Sequence, residues 1–203
     1  MKDKRISCAY FFNFDQHKTI FTIIIISILT MELERIYFFT ATINSWKPLL
    51  YKDHFKLIII DSWKYLIDKS LMRIYGYVIM PNHIHLIFEM TDLNGKEMPH
   101  ASFHKYTAHK FLTILRKTNP NFLIQFKVDE ANKKHCFWQR DPLDVELYSP
   151  SVIYQKLTYI HNNPCRGKWE LAQSPLDYKF SSCLFYETGE DPFNILTHIG
   201  QRI

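Results

Sequence analysis

The chain has 203 residues, of which 47% are hydrophobic, 16% aromatic and 22% charged, and its formal net charge is +5. This composition excludes a disordered chain, a collagen-like chain and a repeat array, and the length favours one domain with an extra segment. The four cysteines form no CxxC pair. They indicate reduced thiols in a cytoplasmic protein rather than a disulfide framework or a zinc knuckle.

An unbroken apolar run from Ile20 to Leu29 dominates the start of the chain. As a helix rising ~1.5 Å per residue, such a run crosses only about half of a ~30 Å bilayer core, so it is too short to span a membrane. Two acids, Glu32 and Glu34, follow where a signal peptide needs small residues. We expect no membrane role and interpret residues 1–30 as an extension, with Met31 as an alternative initiator; an added buried strand or helix is the other interpretation.

The rest of the chain alternates strand-like and helix-like stretches without a long linker, which predicts one domain over residues 31–190 and a tail over 191–203. The segment from Ile36 to Ile43 is rich in β-branched and aromatic residues and predicts a strand. Asp53 is a candidate N-cap for the helix that follows. The predicted buried face of this helix consists of Phe55, Ile59, Trp63 and Leu66.

Two further strands are predicted from Arg73 to Met80 and from His83 to Met90. Only Pro81 and Asn82 separate them, and this turn-forming pair indicates an antiparallel hairpin. A second helix is predicted from about Ala101 to Lys117. Its expected buried stripe consists of Ala108, Phe111, Leu112 and Leu115.

A last strand is expected around residues 137–147 and a third helix from about Pro150 to Asn163. Pro164 ends this helix, because the residue before a proline is driven out of helical geometry. The resulting order of strand, helix, two strands, helix, strand and helix predicts an α+β fold with a ferredoxin-like antiparallel sheet.

Two histidines, His83 and His85, alternate with apolar residues in the predicted second hairpin strand. Strand alternation sends both imidazoles to one face, where they can share a metal ion. The alternative is two polar residues on a solvated face. A histidine-triad nucleotide hydrolase is excluded because it needs a third histidine at Ile87, and the chain is too short for an amidohydrolase barrel.

Tyr159 and Asn163 lie four residues apart on the third predicted helix, on a face that differs from its apolar stripe. The phenol and the amide oxygen can therefore reach the same point. A phenol needs a nearby cation or base to act as a nucleophile at neutral pH, and Lys156 lies one turn away. The alternative is a surface aromatic residue followed by a helix stop signal.

Four segments occur in a fixed order: YVIMPNHIHLI from Tyr77 to Ile87, FHKYTA from Phe103 to Ala108, YIHNNP from Tyr159 to Pro164, and YKFSS from Tyr178 to Ser182. Together they resemble the REP-associated tyrosine transposases, which belong to the single-tyrosine HUH transposases of insertion sequences. The resemblance covers about Met31 to Tyr186. It implies a ferredoxin-like or RRM-like sheet with the histidine pair on a central strand and the tyrosine on a C-terminal helix.

The resemblance also implies a role for each matching residue. His83 and His85 would bind a divalent metal, Mg²⁺ or Mn²⁺, with Asn163 as the third ligand. Tyr159 would attack the scissile phosphate, leaving a covalent 5′-phosphotyrosine and a free 3′-OH that can be rejoined in DNA transposition without a nucleotide cofactor. The implied partner is single-stranded or hairpin DNA, bound by a monomer or a homodimer.

Positive charge is concentrated from Lys96 to Lys117, where five Lys or Arg residues stand against one acid. We interpret this segment as a phosphate-binding surface near the proposed site; the alternative is a solvated helix face. Trp138 and Gln139 are expected to extend it. The predicted DNA-binding residues are Lys105, His109, Lys110, Arg116, Lys117, Arg140 and Lys156.

Three functions remain open: a single-strand DNA endonuclease and strand transferase, a non-cleaving DNA or RNA hairpin binder of the same fold, and a metal-dependent hydrolase of small molecules. A binder tolerates loss of the tyrosine, whereas the tyrosine, both histidines and the asparagine are all present, which favours the endonuclease. A hydrolase needs an acidic base, and Glu89 is the acid predicted on the strand face of the histidine pair.

Overall fold

The computed structural model describes residues 31–130, 133–140 and 142–203. The chain divides into two units, Met1–Met31 and Glu32–Ile203, and the second unit carries the fold. The interpretation of residues 1–30 as an extension falls outside the described residues.

An antiparallel sheet forms the centre of the second unit. Its strands are β1 (Ile36–Thr42), β2 (Met72–Ile79), β3 (His83–Met90) and β6 (Leu143–Glu146), and a separate ribbon consists of β4 (Lys127–Glu130) and β5 (Lys133–His135). The order across the main sheet is β2-β3-β1-β6, with every neighbouring pair antiparallel. This topology agrees with the predicted ferredoxin-like sheet and places β3 between two hydrogen-bonded neighbours.

Helices connect and cover the strands. They are α1 (Asp53–Asp68), α2 (Pro99–Thr118), α3 (Pro120–Ile124), α4 (Pro150–Asn162) and α5 (Cys183–Thr188). The sequence predicts α1, α2 and α4 to within about two residues, whereas α3, α5 and the ribbon were not predicted. None of the helices in the described part of the chain is long and apolar enough to cross a membrane.

The two faces of the sheet receive different helices. Phe39 of β1 lies against His100 and His104 of α2, with ring centroids 6.4 and 5.8 Å apart, so α2 covers the Phe39 face. Phe38, the preceding residue, points to the opposite face, where its ring lies 6.1 Å from that of Tyr159 on α4. Strand alternation thus separates an α1/α2 face from an α4 face.

Gly76 brings α4 close to the sheet. It lies at a register shift in β2, opposite Ile87. A Cβ atom at this position would lie only 2.5 Å from Leu157 Cδ2 and 3.1 Å from Ile160 Cδ1. The absence of a side chain therefore lets the apolar stripe of α4 contact the β2 backbone directly.

Local details of the first two helices differ from the prediction. The four residues expected on the buried face of α1 are all buried, but Asp53 is the first helical residue rather than the N-cap, and its carboxylate accepts a hydrogen bond from Lys56 Nζ at 2.8 Å. Phe111 and Leu115 of α2 are buried as expected. Phe103 and Thr107 complete that face, whereas Ala108 and Leu112 lie half-buried at its side.

The strand expected around residues 137–147 is shorter than predicted. Only Leu143–Glu146 pairs with β1, while Phe137 and Trp138 are buried in an irregular segment in which Trp138 forms a single bridge with Ile43. Aromatic burial and strand pairing give similar sequence patterns, which explains the difference.

Residues 191–203 were expected to form a tail outside the domain, and this boundary is wrong. Ile195 and Ile199 are buried, and Thr197 donates a backbone hydrogen bond to Ile74 of β2. Arg202 Nε contacts both carboxylate oxygens of Glu89, at 3.1 and 3.3 Å. The segment therefore belongs to the compact unit, because it supplies apolar side chains and a counter-charge to the sheet.

Candidate active site

The predicted histidine pair lies at one end of a central strand. His83 is the first residue of β3, and the ring centroids of His83 and His85 are 4.8 Å apart. Both rings occupy the α4 face, as the alternation predicted. The intervening Ile84 is fully buried on the opposite face, which anchors the strand that carries them.

Each imidazole is oriented by a hydrogen bond at Nδ1. For His83 the partner is Asn82 Oδ1 at 2.7 Å, and for His85 it is Thr40 Oγ1 at 2.8 Å. An amide oxygen only accepts, so His83 Nδ1 carries the proton and Nε2 keeps its lone pair. Oxygen partners at Nδ1 are the arrangement that fixes a metal-binding histidine in proteins.

Burial keeps both imidazoles neutral. It lowers the pKa of His83 to about 4, against an opposing effect of the hydrogen bond with Asn163. Burial, together with the nearby His83 and Lys156, lowers the pKa of His85 to about 3. At neutral pH each ring therefore keeps one unprotonated nitrogen, and the hydrogen bond to Asn82 Oδ1 assigns it to Nε2 in His83.

Tyr159 lies beside His85 of this pair. Its ring centroid is 5.3 Å from that of His85, and 47% of the residue is exposed to solvent. Lys156, one turn earlier on α4, places Nζ 5.9 Å from the Tyr159 ring centroid and 4.6 Å from that of Phe38. An accessible phenol thus lies beside two neutral imidazoles and a cation.

The sequence of α4 explains this placement. Ser149 caps the helix by accepting a hydrogen bond from the Val152 N–H, and Pro150 occupies the first turn. Ile153, Leu157 and Ile160 are buried against the sheet. Tyr159 lies off this stripe. Asn163 follows the last helical residue in a short 3₁₀ turn and reaches His83, so four predicted residues meet: His83, His85, Tyr159 and Asn163.

The donors present fit a divalent cation. Two neutral imidazoles and one carboxamide supply nitrogen and oxygen ligands, a softer set than the all-oxygen ligands typical of Mg²⁺. Among the described residues, no group of three or more His, Cys, Asp or Glu side chains is arranged to hold a metal. A metal at this site would therefore depend on the amide of Asn163 as well as the histidines.

Glu89 does not serve the histidine pair. It lies four residues beyond His85, about 13 Å along the strand. Its buried carboxylate accepts a hydrogen bond from the Tyr75 hydroxyl and pairs with Arg202. The acid that a small-molecule hydrolase would need is thus engaged elsewhere.

The predicted DNA-binding residues divide between the two faces. Lys156 lies beside Tyr159. Arg140 follows Gln139, whose backbone N–H donates a hydrogen bond to the carbonyl of Thr42, and Thr42 is paired with His83 at this end of the sheet. Five others lie on α2: Lys105, His109, Lys110, Arg116 and Lys117.

The expectation that this basic part of α2 lies near the site is wrong, because α2 covers the opposite face. Helices that connect strands of one sheet with the same handedness lie on the same side, which places α2 beside α1. Some of its charge is also engaged: Lys105 pairs with Glu97 at 2.8 Å, and Lys110 Nζ lies 5.4 Å from the Tyr106 ring centroid.

Three residues at the site were not predicted. Thr40 and Asn82 orient the histidines, and Trp46 places its exposed ring 6.2 Å from that of His83. For Asn82, its position directly before the histidine motif is a sequence signal that could have predicted a contact with His83. Thr40 and Trp46 are distant in sequence from the residues that they contact.

Comparison with known proteins shows a similarity of fold. No protein-family model matches the sequence, and no curated protein matches it. A solved REP-associated tyrosine transposase bound to a REP hairpin is similar in structure, with a TM-score of 0.55 and 16% sequence identity. In fold, this chain resembles that transposase. The likeness covers 84% of this chain and 90% of the other, and agrees with the resemblance of the four sequence segments.

Proposed function

We propose that this chain is a metal-dependent transposase-type endonuclease that nicks and rejoins single-stranded DNA through Tyr159. The observation that carries the proposal is the accessible phenol of Tyr159 beside buried His85 and half-buried His83, whose Nδ1 atoms are both hydrogen-bonded. A surface aromatic residue or a solvated histidine pair explains neither the orienting hydrogen bonds nor the meeting of these groups.

In the proposed reaction, the Tyr159 phenol releases its proton to solvent, its oxygen attacks the scissile phosphorus and the bond from phosphorus to the 3′ oxygen breaks. The 5′ phosphate becomes linked to the tyrosine, and the departing 3′ oxygen takes up a proton. The Lys156 ammonium, close to the Tyr159 ring, stabilises the negative charge of the attacking phenolate. The reverse attack by a 3′-OH rejoins the strand, because the phosphotyrosine retains the energy of the phosphodiester.

Mg²⁺ or Mn²⁺ is the proposed cofactor. His83 and His85 would hold it through Nε2 and Asn163 through its amide oxygen. When bound, it supplies positive charge that offsets the charge developing on the scissile phosphate. Asn82 and Thr40 keep the two rings in the required orientation.

A non-cleaving hairpin binder is the second candidate, and the position of α2 favours it. Exposed basic residues of α2 lie on the face away from Tyr159, so they can hold a folded nucleic acid independently of the site. The similar transposase was solved with a REP hairpin. Hairpin DNA is accordingly the first substrate to test.

Covalent trapping separates the two candidates. We expect the parent protein, with Mn²⁺ or Mg²⁺, to cleave a single-stranded oligonucleotide that contains a hairpin and to migrate with it on a denaturing gel. Tyr159→Phe removes the nucleophile and should bind the oligonucleotide without forming the adduct. Tyr154→Phe is the matched control, because Tyr154 is 48% exposed on the same helix but lies five residues before Tyr159, on a different side of the helix; it should cleave normally.

Metal binding has a separate measurement. Titration with Mn²⁺, followed by the loss of the free-ion EPR signal, should show binding by the parent and by Tyr159→Phe but not by His83→Ala or His85→Ala. Adduct formation by Tyr159→Phe would refute the nucleophile assignment. Binding of the hairpin without any adduct in the parent would favour the second candidate.

A further inference from the structure

An exposed tryptophan extends the row of rings at the site. Trp46 is 56% exposed, although tryptophan is among the side chains that gain most from burial. Its ring lies 6.2 Å from His83, His83 lies 4.8 Å from His85, and His85 lies 5.3 Å from Tyr159, all between ring centroids. Two accessible aromatic residues therefore flank the histidine pair, one at each end.

The backbone that carries Trp46 is strained. Ser45 and Trp46 both have left-handed conformations, with φ of 56° and 57°, although neither is a glycine. A bulky residue in this region is an outlier that persists only where its surroundings impose it. The Trp46 side chain is largely exposed, so its own burial does not account for this conformation.

Hydrogen bonds hold the turn on both sides. The Asn44 N–H donates to Phe137 O at 2.7 Å, and the Trp46 N–H donates to Ile43 O at 2.8 Å. Asn82 Nδ2 donates to the Trp46 carbonyl at 3.3 Å. The turn is therefore a rigid support rather than a loop end.

Asn82 links this support to the histidine pair. Asn82 is 2% exposed, and both polar atoms of its side chain form hydrogen bonds. Nδ2 donates to the Trp46 carbonyl, and Oδ1 accepts from His83 Nδ1. One buried amide thus fixes the positions of Trp46 and His83 relative to each other. A ligand group that contacts Trp46 is held at a defined place beside His83.

We propose that Trp46 is a stacking platform for a nucleobase next to the scissile phosphate. A rigid, exposed indole offers a flat apolar face, and every base has a face that can stack on it, so the contact tolerates changes of sequence. The platform rests on the proposed function, since it assumes a single-stranded nucleic acid at this site. It would position the backbone between Trp46 and Tyr159, with the histidines beneath the phosphate.

Binding of oligonucleotides in the Tyr159→Phe background tests the platform without cleavage. Trp46→Ala should weaken binding of a hairpin oligonucleotide with a single-stranded flank by about tenfold, and Trp46→Phe should retain most of the affinity. An oligonucleotide lacking one base beside the scissile position should show the same loss with intact Trp46 and no further loss with Trp46→Ala. Tyr148→Ala, which removes an aromatic residue that is 83% exposed in the connection between β6 and α4, is the control and should bind normally.

A second measurement detects the stacking itself. Oligonucleotide binding should quench indole fluorescence when Trp46 is present and much less in Trp46→Phe, whose folding is checked by its melting temperature. Equal affinity of Trp46→Ala and its parent, or additive losses at every base-deleted position, would overturn the platform. If the parent protein binds the oligonucleotide through Trp46 but never forms an adduct, the proposed endonuclease activity is overturned and the stacking platform is supported. If the protein binds no single-stranded oligonucleotide, both proposals are overturned.

Discussion

The two faces of the sheet use the same strands for different purposes. On the α1/α2 face, β3 contributes Leu86 and Phe88 to a close-packed aromatic core. On the α4 face, the same strand presents His83 and His85. Tyr159 of α4 lies beside His85 and is half exposed, so this end of the sheet is accessible to solvent. Two helices seal one face, whereas a single helix of 13 residues covers part of the other.

Histidines on the two faces show what distinguishes a site from a core. Burial lowers the pKa of His104 to about 3 on the α1/α2 face, much as it does for His85 on the α4 face. His104 lies among Phe39, Phe103 and Trp138, and among the described residues its Nε2 is a buried atom without a hydrogen-bond partner. A lowered pKa therefore does not identify a site; orienting hydrogen bonds beside an accessible reactive group do.

The largest effect on stability is expected from the core face. Trp63 is fully buried, with its ring centroid 5.5 Å from Tyr77 and 5.9 Å from Phe103. Trp63→Ala should lower the free energy of unfolding by about 3–5 kcal/mol, because it leaves a cavity in a packed core. Chemical denaturation measures this, with His85→Ala as the comparison on the other face. Equal losses for both variants would contradict the division of roles between the faces.

A smaller effect, with a functional consequence, is expected where α4 contacts β2. Gly76→Ala places a methyl group against Leu157 and should cost about 1–3 kcal/mol of unfolding free energy. It should also slow cleavage, since α4 carries Tyr159. Adding Leu157→Ala removes the obstructing side chain, so the two changes should be less destabilising together than the sum of their separate effects. Strict additivity in this double-mutant cycle would show that the close contact is unimportant.

The smallest effect is a change in pH dependence. The folded pKa of His104, about 3, lies below the ordinary value of 6.5, so only the unfolded chain takes up this proton between those values. Stability is therefore lost as the pH falls below about 6.5, by about 1 kcal/mol per pH unit at most for this group. His104→Leu should make the curve measured by denaturation between pH 7 and 5 less steep, while a slope remains because the pKa values of His83 and His85 are also lowered by burial. His109→Leu, which changes an exposed residue of α2, should leave the slope unchanged.

The fold was largely predictable because its signals are local. β1, the β2–β3 hairpin and helices α1, α2 and α4 follow from periodicity and from breakers such as Pro81 and Pro164. The ribbon β4–β5 and the packing of residues 191–203 were not predictable in this way. Their elements are short, and the paired residues Arg202 and Glu89 are 113 residues apart in the sequence.

For the site, the sequence by itself determined which residues share a face: His83 with His85 through the two-residue period of a strand, and Tyr159 with Asn163 through the helical period. Only the tertiary structure decided that these two pairs meet and that the basic surface of α2 lies on the other side of the sheet. It also supplied Thr40, Asn82 and Trp46. Such contacts depend on crossover handedness and on which helix reaches which face, and no local period encodes either.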